Sequence, residues 1–176
     1  MSRRTDKTVE NVVNKIDYIS RTEIALCDEF VMKNCGKLDK LISNIYQDIN
    51  NLTDQQVESY ILELATQLYY VSSCQEMVGI KEDVCKMFKA KIYNEARREA
   101  QGTVADKDAQ ALLISQNESL ALNVYTRAYK TIKAKVESGY EVLNSLKKIM
   151  NRRLAEIELS NSRYIGGNNT DEHNKR

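Results

Sequence analysis

The stretch LNVYTRAYKTIKAKVESGYEVLNSLKKIMNRRLAEI, residues 122–157, decides the fold class. Leu122, Tyr125, Tyr129, Ile132, Val136, Gly139, Leu143, Leu146, Met150, Arg153 and Ile157 follow one another by steps of three and four. That is roughly five heptads of seam, the pattern of a helix packed on other helices in coiled-coil fashion. Two positions depart from it. Gly139 leaves a gap that a large side chain from a facing helix could fill, and Arg153 is charged. The helical pattern begins earlier, at Thr103-Val104-Ala105-Asp106, which resembles a capping box with Asp in place of Glu. It runs to about Leu159, roughly 85 Å at 1.5 Å per residue. A small domain does not bury a helix of that length. The seam therefore packs on the preceding helices, on a second copy through Leu122, Tyr129, Ile132, Val136, Leu143, Leu146 and Met150, or on both.

Upstream, the sequence predicts more helix. Val9, Val12, Val13, Ile16, Ile19, Ile24 and Leu26 repeat loosely at helical spacing, and Leu38, Leu41, Ile42, Ile45 and Ile49 restart the stripe after a break expected at Cys35-Gly36. Thr53-Asp54-Gln55-Gln56 fits a capping box and opens an acidic helix over 53–78, with Val57, Ile61, Leu64, Ala65 and Leu68 on its buried side. It fades at Val78-Gly79. A basic helix follows over 81–101, with Val84, Cys85, Phe88, Ile92 and Ala96 as its apolar side. The expectation is an all-α fold: one extended helical bundle over 1–159, with helices at 6–49, 53–78, 81–101 and 103–159. A disordered tail is expected over 160–176. Composition agrees, since the 176 residues include no proline and six glycines, where average usage would supply roughly 5% proline.

The net charge of +1 names no partner, but the charges are segmented. Asp48 to Met77 contains Asp48, Asp54, Glu58, Glu63 and Glu76 and no base, whereas Lys86, Lys89, Lys91, Arg97 and Arg98 crowd 86–98 around Glu95 alone. Solvated helix faces and a partner surface both account for this. The one histidine is His173, so neither a Ser or Cys nucleophile with an imidazole base nor a bundle metal site is readable. Cys27, Cys35, Cys74 and Cys85 lack metal-ligand spacing. The polar, basic N-terminus and the absence of any apolar run near ~20 residues predict a cytoplasmic chain with reduced thiols and no membrane span. No cofactor is implied, and a non-enzymatic role is expected. Ten tyrosines, two phenylalanines and no tryptophan include Tyr93 beside Lys89 and Lys91. Aromatic rings that stack on unpaired bases, interleaved with cations on phosphates, suit single-stranded nucleic acid. Tyr125 and Tyr129 lie in the seam and read as core.

The segment Lys86 to Arg98, with Lys89-Ala90-Lys91-Ile92 at its centre, resembles the basic motif of UvsY-type phage recombination mediators. Ala105-Asp106-Lys107-Asp108 opening a long helix that ends in Leu146-Lys-Lys-Ile-Met-Asn-Arg-Arg153 resembles the order found in that family. The resemblance covers about Lys86 to Ile157. It implies a small, ring-forming helical protein that binds single-stranded DNA, remodels its complex with a single-strand-binding protein and helps load a recombinase. Lys89 and Lys91 match the two basic positions of the DNA-contacting motif, and the long helix would supply subunit contacts, making a homo-oligomer. Lys86, Arg97 and Arg98 join the candidate site on charge, and Tyr93 as a ring. The acidic helix maps to nothing in the family. A helical scaffolding protein acting through coiled-coil contacts is the rival reading.

Overall fold

The computed structural model describes residues 2–49 and 51–167, and side chains over 10–49 and 51–162. Among these residues the chain is all-α, with helices α1 (Ser2–Asp48), α2 (Asp54–Glu99), α3 (Val104–Ile114) and α4 (Gln116–Gly167) and no strand. No helix among the described residues is long and apolar enough to cross a membrane.

Two helices are longer than the sequence reading placed them. The break expected at Cys35-Gly36 is absent, because a mid-helix glycine costs only about 1 kcal/mol and its neighbours Cys35 and Leu38 are fully buried. The fade expected at Val78-Gly79 is absent for a different reason. Val78 is buried, and a Cβ on Gly79 would sit 3.3 Å from Tyr129 Cε2. Gly79 therefore admits the Tyr129 ring and does not end the helix. The acidic and basic helices are one element, α2.

The span read as one helix over 103–159 is divided at Ser115, which joins α3 to α4 with φ −86° and ψ 15°. The buried Ser115 hydroxyl donates to the Ala111 carbonyl at 2.9 Å, a back-bond that bends helices. Main-chain bonds still cross the joint, from Ser115 N–H to Ala111 and from Ser119 N–H to Ser115. At the far end, α4 continues through 160–167, and the rest of the expected tail lies outside the described residues.

Both capping boxes form. Gln56 N–H donates to Thr53 Oγ1 at 3.3 Å and Thr53 N–H to Gln56 Oε1 at 2.8 Å. The Thr103 and Asp106 pair makes the same reciprocal bonds ahead of α3. Gly102 precedes this cap at φ +111°, a left-handed conformation that favours glycine.

The chain forms two compact units. One comprises Leu38–Tyr69 and Glu137–Arg176. Its core is Leu38, Leu41, Ile45, Leu52, Val57, Leu64, Leu68, Leu143 and Leu146. The short turn between α1 and α2 sets those segments antiparallel. Arg153 Nη1 closes this unit by donating to the Leu52 carbonyl at 2.9 Å and to Asp54 Oδ1 at 2.8 Å.

The other comprises Met1–Lys37 and Tyr70–Val136. Its buried set is Cys27, Val31, Cys35, Val71, Val78, Ala96, Ala111, Ala128, Ile132 and Val136, with Ser115. Phe30 meets Tyr125 edge-on at 5.7 Å, and Lys81 Nζ lies 4.8 Å over the Phe30 ring. This core carries polar groups too. Thr126 donates to Glu82 at 3.1 Å, and Glu118 Oε2 is buried without a hydrogen-bond partner among the described residues.

Candidate nucleic-acid interface

A 3-4 stripe of α2 faces the bundle: Val71, Gln75, Val78, Glu82, Cys85, Lys89, Ile92 and Ala96 are all buried or half-buried. Lys89 thus belongs to the inward stripe, at the heptad position of Gln75 and Glu82, and is half-buried. The remaining bases are exposed, but most are already held. Lys86 Nζ contacts Glu82 at 3.0 Å and Asp83 at 3.1 Å, and these hydrogen bonds, Glu82 first, raise its pKa. Arg97 pairs with Asp108. Lys91 stands 3.9 Å from Glu95, a solvated contact worth little. Arg98 makes no ion pair among the described residues.

Tyr93 is half-buried and its hydroxyl donates to Asp108 Oδ1 at 3.1 Å. Burial, then that hydrogen bond, raises its pKa. This hydrogen bond fastens α2 to α3.

Within 86–98 the exposed ring is Phe88. The sequence reading placed Val84 and Phe88 on the apolar side with Cys85, Ile92 and Ala96; the structure turns Val84 and Phe88 outward, at 45% and 58% exposure. They continue a second stripe of exposed apolar residues, Met77, Ile80 and Met87. It is spaced by three and four on the face opposite the bundle. Lys91 and Arg98 extend the same face. A helix apolar on two sides has one side unpartnered. The signal was present in the sequence, since Met77, Ile80, Val84, Met87 and Lys91 alternate as strictly as the inward stripe.

The chain matches no protein-family model, no curated protein and no solved structure.

The candidate subunit-contact residues pack within the units. Ile132, Val136, Leu143 and Leu146 are buried, and Leu122, Tyr129 and Met150 are half-buried. The gap at Gly139 is filled from the same chain by Leu68, whose Cδ2 would lie 2.6 Å from a Cβ there. Among the described residues no group of His, Cys, Asp and Glu is arranged to hold a metal ion.

Proposed function

We propose that this chain is a non-catalytic single-stranded DNA-binding protein that acts as a recombination mediator, holding the strand on the outward face of α2 while a recombinase replaces a single-strand-binding protein. The observation that carries the reading is the exposed Phe88 ring one helical turn from Lys91, with Arg98 two turns further on the same face. Phe88 and Met87 supply a surface for unpaired bases, where stacking is worth roughly 1–3 kcal/mol per base. Lys91 and Arg98 neutralise phosphates and release counterions. Lys86 and Arg97, tethered to carboxylates, and the half-buried Lys89 contribute field more than contact. The resemblance of Lys89-Ala90-Lys91-Ile92 to the mediator motif supports the same segment.

Fluorescence anisotropy with labelled single-stranded and duplex oligonucleotides at about 50 and 200 mM salt tests this. A few phosphate contacts predict at least about a tenfold loss of affinity between those salts, with the single strand preferred. Phe88→Ala is expected to weaken single-strand binding about 5- to 100-fold, and Lys91→Ala with Arg98→Ala to flatten the salt dependence. No binding to either oligonucleotide at 50 mM salt ends this reading. It would favour helical assembly, for which the exposed Met77, Ile80 and Val84 are the supporting feature.

A further inference from the structure

The N-terminal half of α1 leaves an apolar face uncovered. Val12, Ile16 and Leu26 are 52%, 56% and 50% exposed. Alongside lies an open groove of about 340 Å³, walled by Tyr18, Ile19, Glu23 and Leu26 of α1 and by Leu120 and Val124 of α4. Its floor is apolar from end to end, and Leu26 and Val124 carry it into the next groove beside Phe30 and Tyr125. Every residue of this surface belongs to one compact unit.

We infer that this groove is a homotypic docking site, filled by α1 of a second copy running antiparallel. The face of α1 that carries the groove residues Ile19, Glu23 and Leu26 continues beyond the groove through Lys15 and Val12, by steps of three and four. Reversed about Ile19, the same series matches itself layer by layer. Val12 meets Leu26 of the second copy, Lys15 meets Glu23, Ile19 meets Ile19, and each pair recurs by the two-fold axis, as an isologous interface requires.

A parallel pairing in register would oppose Lys15 to Lys15 and Glu23 to Glu23, so charge selects the antiparallel one. Glu10 and Asp28, nine residues to either side of Ile19, lie on the opposite side of α1 and stay out of the contact. Asp28 borders a separate groove with Arg127 and Lys130. Ile132, Val136, Leu143 and Leu146 of α4 do not compete for this role, being buried within the chain. The interface is small, so association is expected in the micromolar range.

Sedimentation equilibrium without nucleic acid tests the inference independently of the DNA-binding reading. The native chain is expected to shift from 20.2 kDa toward twice that mass as concentration rises to about 200 µM. Lys15→Glu and Glu23→Lys, each alone, are expected to weaken association about tenfold or more. The double variant Lys15→Glu with Glu23→Lys should return to within about threefold of native, because the pair is reversed and not removed. Ile19→Cys should give a dimer linked through position 19 on mild oxidation, while Asn11→Cys, off the groove face, should not. A native chain of unchanged mass at the highest concentration overturns the inference. So do single variants that associate as well as native, or a double variant that stays as weak as the singles.

Discussion

Leu68 occupies the notch that Gly139 leaves in α4: a Cβ at position 139 would lie 2.6 Å from Leu68 Cδ2 and 3.7 Å from Leu38 Cδ1. A Cβ at Gly36, inside α1, would meet nothing within 4 Å. The two helical glycines should therefore respond oppositely. Gly36→Ala gains helix propensity with no clash and should stabilise by about 0.5–1 kcal/mol. Gly139→Val drives a branched side chain into a full core and should destabilise by about 1–3 kcal/mol. Thermal denaturation separates them, with roughly 2–4 °C expected per kcal/mol for a chain of this size.

Arg153 holds two acceptors at once, the Leu52 carbonyl and the Asp54 carboxylate. Asp54 is more than half exposed, so most of the value lies in the partly buried carbonyl, and solvent screens the rest. Arg153→Met should keep the packing of the stem and cost roughly 1 kcal/mol. Chemical denaturation should show a lower midpoint with an unchanged slope. Asp54→Asn should cost less than Arg153→Met, because it leaves the bond to Leu52 in place.

Asp106 accepts from both the Thr103 hydroxyl, at 2.6 Å, and the Thr103 N–H, at 3.0 Å. These bonds, the hydroxyl first, hold its pKa below the ordinary carboxylate value. The folded value lies below the unfolded one, so the box contributes stability above the unfolded pKa. That contribution is lost as pH falls through the depressed folded value. Carboxyl NMR titration should place the Asp106 midpoint below the ordinary aspartate value. Thr103→Ala should move it back up, and Asp106→Asn should remove this group's share of the acid sensitivity.

Much of the secondary structure was legible from local patterns. The absence of proline and the 3-4 spacing of apolar residues indicate helix, and Thr53-Gln56 and Thr103-Asp106 mark two starts, because caps depend on residues three apart in sequence. Helix continuity was not legible. Gly36 and Gly79 carry the same local signal of interruption, yet one has open space and the other a tyrosine ring beyond it. Ser115 shows the converse. A serine inside a helical pattern announces nothing, and its bend arises because its buried hydroxyl turns back to Ala111.

The candidate site was legible as a segment but not as a face. The density of bases between Lys86 and Arg98 is local information. Which bases are free depends on Glu82, Asp83 and Asp108, and Asp108 reaches Arg97 and Tyr93 only because α3 folds back on α2. Phe88 was placed inward by helical spacing alone, since α2 carries two apolar stripes and periodicity does not say which one meets the other helices.

By itself the sequence determined that this protein is helical, where two of its helices are capped and where its charge is concentrated. Each of these follows from residues within a turn or two of one another. Only the tertiary structure decided that Leu68 fills the notch at Gly139 of α4 and that the Tyr93 hydroxyl is tied to Asp108 while Phe88 is exposed. It also decided that α1 is left with an open groove beside α4. These depend on which helix faces which, and that is settled by packing between residues far apart in the chain.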